Sequence, residues 1–249
     1  MFLTFIENYP FVVAFFLGLI PALVWLWFWL KEDIHPEPAK ILTLAFIGGM
    51  LSVLFVLPIQ QTILYYLRDS WDVFIVHRIT VKELTFMLWA AVEEISKFGF
   101  VYFIALKRKV VDEPVDDMIY LIVSALGFVT FENSLFLTEL LRDGNIMGSI
   151  INGNMRFIGA SLIHVMSSAM VGMMLGLAFY KTRKQKILYT TAGMIIAIVL
   201  HTAFNLFIIN ELPGNIFFIF GGVWFGIVVL LLLFEKIKHL RIEKINTNL

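Results

Sequence analysis

The sequence predicts an all-α fold, a polytopic membrane bundle of about seven transmembrane helices, and three observations carry that prediction. Sixty per cent of the 249 residues are apolar and 15% are charged, with a mean hydropathy of +0.88, a balance outside the range of soluble domains. The apolar residues gather into seven stretches, 9–30, 41–64, 84–106, 118–141, 156–180, 187–209 and 216–234. Each is long enough to cross about 30 Å of hydrocarbon, which takes roughly 20 helical residues. The longest interruption, 65–83, is too short for a separate soluble domain, so residues 1–249 read as a single membrane-embedded unit.

The elements follow in order. The first stretch has no basic leader and no small-x-small cleavage site, so it reads as a retained helix rather than a signal peptide. The polar run Lys31 to Lys40, punctuated by Pro36 and Pro38, ends that helix and starts the second. Arg68 to Lys82 mixes charges with Trp71, Phe74 and Ile75, which predicts a short interfacial helix on the outer face. The clusters Lys107 to Lys109 and Lys181 to Lys186 are cytoplasmic anchors. Gly172 and Gly176 form a small-xxx-small pair, a sign of close helix packing.

Lys and Arg set the orientation. Thirteen fall in the loops 31–40, 107–117 and 181–186 and in the tail after 234, against five on the other side; the remaining one, Lys97, lies within a span. The N-terminus is therefore expected outside and the C-terminus in the cytoplasm of a multi-pass cell-membrane protein. The net charge of zero gives no argument for nucleic acid. The absence of cysteine excludes disulfides, thiolate ligands and cysteine nucleophiles.

Six ionisable residues lie deep inside the apolar stretches, away from their ends: Glu93, Glu94, Lys97, Glu132, His164 and His201. Each costs about 2.5–3.5 kcal/mol to place in hydrocarbon on insertion scales. Counted from the cytoplasmic ends at 1.5 Å per residue, the carboxyls and imidazoles fall at one level, about 18–24 Å deep. Spacing agrees with depth. Glu93, Glu94 and Lys97 share one broad helix face, and His201 and Asn205 are i,i+4. Asn133 adjoins Glu132, and Arg156 lies two turns before His164.

Two adjacent carboxyls cannot both ionise cheaply at low dielectric, so one of Glu93 and Glu94 is expected to act as base or acid near neutrality. Lys97 reads as the counter-charge. No His-Glu-x-x-His zinc motif occurs, all seven Asp residues fall in expected loops, and Ser161 lacks a Gly-x-Ser-x-Gly elbow. What remains is a glutamate that activates water, with His and Asn to orient it and stabilise an oxyanion. A site without metal or other cofactor is expected; zinc held by Glu93, Glu132, His164 and His201 is the variant reading.

These residues also resemble a known family. Glu93-Glu-Ile-Ser-Lys97 is similar to the EExxK motif of the PrsW family of bacterial intramembrane proteases. Asp116-Asp117 with Gly127-Phe128 and Glu132-Asn133 resembles its Asp-rich start and GFxxxEN motif. Arg156 with His164 and Gly172 resembles the third motif, His201 to Asn205 the HxxxN motif, and Asp33 to Pro38 the D-x-x-x-E-P turn. The resemblance runs from about residue 31 to 205, with the motifs in the family's order, and places the family within the CAAX-protease and bacteriocin-processing type superfamily. It implies a membrane-embedded, glutamate-dependent peptidase, its catalytic helices within 84–209, acting in the lipid bilayer on a membrane-anchored protein such as an anti-sigma factor.

The expected roles are Glu93 as base with Glu94 sharing its proton, in an order the sequence does not fix. Glu132 and His164 would hold the water and shuttle its proton, while His201 and Asn205 would serve the oxyanion. Lys97, Asn133 and Arg156 would support them. A proton-coupled transporter and a non-catalytic scaffold or sensor are the competing classes, because buried Asp, Glu and His also relay protons or fix helix packing.

Overall fold

A computed structural model describes residues 8–76, 79–144, 146–209 and 216–240. Those residues form eight α-helices: α1 (Pro10–Lys31), α2 (Ala39–Leu67), α3 (Val81–Val101), α4 (Asp116–Arg142), α5 (Ile146–Met155), α6 (Ser161–Leu177), α7 (Arg183–Ile209) and α8 (Ile216–Lys238). Five spans, within α1, α2, α4, α7 and α8, are long and apolar enough to cross a membrane by length and composition. α3 holds its charged residues within the span, and α6 alone has only 17 residues. The chain is an all-α membrane bundle.

α4 is its axis: 78% of its apolar window is buried, against 17% for α1. Helices α1, α2 and α6 lie directly against it. The closest crossing is between α2 and α4, where glycines bring the backbones together. A Cβ on Gly49 would meet the carbonyl oxygen of Ser124 at 1.9 Å, and one on Gly127 would meet that of Phe46 at 1.9 Å. Gly172 of the expected packing pair does the same on α6, where an added Cβ would lie 2.5 Å from the Cα of Met118.

The structure departs from the sequence reading at three places. The 68–82 connection is not an interfacial helix. It is a 3₁₀ turn at Arg68–Ser70 followed by a two-stranded antiparallel ribbon, β1 (Phe74–Val76) and β2 (Ile79–Thr80). Val73 to Val76 is a run of β-branched and aromatic residues that favours a pleated surface over a helix. Thr80 then starts α3 with a capping box to Glu83. Residues 146–155, expected as loop, are helical, and a π turn at Arg156–Ala160 joins α5 to α6. Asp116 and Asp117, also expected in a loop, occupy the first turn of α4, where a carboxylate meets the positive end of the helix dipole.

Candidate active site

Five parts of the bundle bring polar groups to one cavity of about 550 Å³. α2 contributes Gln60, α3 Glu93, α4 Glu132, the π turn with α6 Arg156 and His164, and α7 His201 and Asn205. Phe86, Trp89, Phe136 and Phe204 are among its apolar walls. The π turn does specific work. Eight ordinary helical residues leave two side chains about 80° apart around the axis. One extra residue in a π turn removes about 100°, returning Arg156 and His164 to one face. Both then reach the same oxygen: Glu132 Oε2 lies 3.0 Å from Arg156 Nη2 and 3.1 Å from His164 Nε2. Arg156 also donates from Nε to Asn133 Oδ1 and rests over the Phe136 ring.

The adjacent glutamates have separate environments. Glu94 is turned away from the cavity lining and fully engaged. Its Oε1 accepts from Lys97 Nζ at 2.7 Å and from His201 Nδ1 at 2.8 Å, and its Oε2 accepts from Ser168 Oγ at 3.2 Å. Glu93 lines the cavity. Its Oε1 accepts from Gln60 Nε2 at 2.7 Å, while its Oε2 is buried with no hydrogen-bond partner among the described residues. That free oxygen lies 3.6 Å from His201 Nε2 and 4.0 Å from His164 Nδ1.

The hydrogen-bond network assigns the imidazole protons. Lys97 Nζ carries only donors, so His164 Nδ1, 3.2 Å away, accepts, and His164 Nε2–H donates to Glu132. His201 Nδ1–H donates to Glu94, and in the neutral imidazole this leaves an Nε2 lone pair facing Glu93 Oε2. Two acceptors face one another there across 3.6 Å. A water that donates to both, or a cation, relieves that opposition.

The donor set also fits a divalent metal. One ligand atom each from Glu93, His164 and His201 lies within 4.8 Å of the others, all three residues are buried, and mixed N and O donors suit zinc. Glu94 behind His201 is the carboxylate that fixes a ligating imidazole's tautomer. His164 Nδ1 joins the set once Lys97 releases it.

The family model described as "PrsW family intramembrane metalloprotease" matches residues 37–234. The chain belongs to the PrsW family. It is 28% identical over 192 residues to a protein named Protease PrsW from Geobacillus kaustophilus (strain HTA426), covering 76% of each. It is 22% identical over 215 residues to Protease PrsW of Bacillus subtilis (strain 168), covering 84% of this chain and 90% of that one. No solved structure matches. Membership makes this PrsW-family chain an intramembrane protease, a multi-pass protein acting in the bilayer on a protein substrate.

The nine residues given site roles from the sequence lie in or directly behind this site. Glu93, Glu132, Arg156, His164, His201 and Asn205 line the cavity, and Glu94, Lys97 and Asn133 bind their far sides. Sequence reasoning missed Gln60 and Ser168, which touch Glu93 and Glu94. Depth counting at 1.5 Å per residue puts Ser168 at the level of the ionisable groups, about 18 Å from residue 180, but puts Gln60 about 28 Å from residue 41, outside that level.

Proposed function

We propose that this PrsW-family protease hydrolyses a peptide bond of a membrane-anchored protein with a water activated by Glu93, all within one peptidase domain spanning the chain. The observation that carries this is the free Glu93 Oε2, buried at the cavity 3.6 Å from His201 Nε2, which in the neutral imidazole presents a lone pair. A water held between them donates one proton to each and turns its own lone pairs to the cavity. On attack, the water oxygen bonds to the carbonyl carbon and Glu93 Oε2 takes the proton. The carbonyl oxygen becomes an oxyanion that accepts from the Asn205 amide, one turn from His201. The C–N bond then breaks, and the leaving amine takes the proton back from Glu93. His201 thus orients the water, and the oxyanion role expected for it from sequence passes to Asn205. Glu132, tied to Arg156 and His164, bears on the water through His164.

A metal-assisted form of the same hydrolysis is favoured by one observation, the 4.8 Å convergence of Glu93, His164 and His201. Those three residues would hold the ion, which when bound would polarise the water and the scissile carbonyl. The cavity, with one activated carboxylate between neutral partners, favours hydrolysis over a proton relay or a packing layer. The resemblance supports a substrate of the anti-sigma-factor class, and the placement of Lys and Arg supports an N-terminus outside and a C-terminus in the cytoplasm.

The test compares membrane-protein fragments released by wild type and by Glu93→Gln. Fragments that vanish with Glu93→Gln support the reading; their persistence overturns it. Elemental analysis of protein purified without added metal separates the two forms. One zinc per chain, lost in His201→Ala, places the ion in the site, and full activity in metal-free protein leaves Glu93 as sole activator.

A further inference from the structure

We infer that Gln60 is the positioning residue that makes Glu93, and not its neighbour Glu94, the reactive carboxylate; this rests on the function proposed for Glu93. A carboxylate alone has two equivalent oxygens exchanged by rotation about its last bond. The Gln60 amide removes that equivalence. Its Nε2 donates to Oε1 at 2.7 Å, which fixes the carboxylate plane and leaves Oε2 aimed at His201 and His164. The donor's chemistry matters as much as its position. Glu94 has an ammonium at 2.7 Å and is held as half of a buried ion pair. Glu93 has a neutral amide there, which orients the group without neutralising it. An opposite charge beside a carboxylate favours its ionised form and lowers its basicity; the uncharged amide holds Glu93 without that effect.

Gln60 is itself held. The Trp89 indole N–H donates to the backbone carbonyl of Gln60 at 3.2 Å. Trp89 lies one turn before Glu93 on α3 and lines the same cavity. The two helices are therefore joined by two bonds running in opposite directions, Trp89 to Gln60 and Gln60 to Glu93. A helix pair cross-linked in this way sets the carboxylate's position from both sides.

The test uses the full chain in lipid nanodiscs with a membrane-anchored reporter substrate and four proteins: wild type, Glu93→Gln, Gln60→Met and Gln60→His. Methionine keeps the length and volume without a donor; histidine restores an N–H. Gln60→Met is expected to lower kcat by up to about 100-fold, the order of loss when a reacting group is misplaced by about 1 Å, with KM unchanged. Gln60→His is expected to recover most of the loss. Residual activity of Gln60→Met at the wild-type level, beside an inactive Glu93→Gln, overturns the inference while leaving the function of Glu93 standing. An active Glu93→Gln sinks the underlying reading instead. If Gln60→Met does not fold, Gln60→His decides: a well-folded, active histidine variant supports the positioning bond, and a well-folded, inactive one overturns it.

Discussion

Lys97 has no exposed surface at all, and its Nζ lies between Glu94 Oε1 at 2.7 Å and His164 Nδ1 at 3.2 Å, over the Phe128 ring. Removing one partner of a buried pair strands the other, at about 3–5 kcal/mol. Lys97→Met should therefore lower unfolding stability in detergent by about that amount. The double variant Lys97→Met with Glu94→Gln should recover much of the loss, because the stranded charge is gone. A double variant as unstable as the sum of the singles would show that the pair is not coupled. The sequence made this group of residues visible, since charges in apolar helices are rare, but it left Glu93 and Glu94 interchangeable. Neighbours on a helix point about 100° apart, and which one meets the cavity depends on Gln60, Lys97 and Ser168, whose side-chain directions leave no trace in hydrophobic periodicity.

Among the elements, the α2–α4 crossing is the joint that brings Gln60 toward Glu132 and the α3 carboxylates. With backbone atoms 1.9 Å from a Cβ built at Gly49 or Gly127, no rotamer change can make room. Gly127→Val should force the helices apart, lowering both stability and proteolysis, whereas Gly221→Ala, with nothing within 4 Å of its added Cβ, should do neither. A Gly127→Val protein with wild-type stability would show that this crossing can yield.

A second element-level prediction concerns the loop between α1 and α2. Burial pushes the Asp33 and Glu37 carboxyls above their ordinary values. Glu37 Oε2 accepts from Tyr120 Oη at 2.5 Å, and one oxygen of Asp33 is buried without a partner among the described residues. Groups raised in the folded state favour folding in their protonated form. Their stabilising contribution is complete below the ordinary carboxylate range and is lost as pH rises through the raised values. Glu37→Gln mimics the protonated form, so its stability relative to wild type should grow as pH is raised from about 5 to 8. A constant difference across that range would refute the assignment.

The elements that were not legible have a common cause. Residues 142–156 contain Asp143-Gly144 and five further glycines and asparagines that read as turn. Tertiary packing nonetheless holds α5 in helix. The π turn has no sequence signature at all, although it alone puts Arg156 and His164 on one face.

At the scale of the whole molecule, the level of the site within the bundle predicts where a substrate is cut. Counted along the observed helices at 1.5 Å per residue, Glu93, Glu132 and His201 lie about 12–18 Å from the ends of α3, α4 and α7 assigned to the outer side. They lie about 20–27 Å from the ends assigned to the cytoplasm, taking α3 through its π turn to Leu106. A hydrocarbon core of about 30 Å therefore places the cavity in its outer half, if the tail after α8 is cytoplasmic. A helical substrate segment hides its carbonyls in its own hydrogen bonds, so the scissile bond must lie where the anchor frays or is already extended. New termini should map to the outer end of the substrate's membrane anchor, within a few residues of the interface, and the ectodomain should leave outward. Mass spectrometry of fragments that depend on Glu93 reads the termini, and protease protection of a C-terminal epitope tag reads the topology. A protected tag with termini in the cytoplasmic half of the anchor would contradict the placement of the site. An accessible tag would invert the topology and move the expected cut to the opposite end of the anchor.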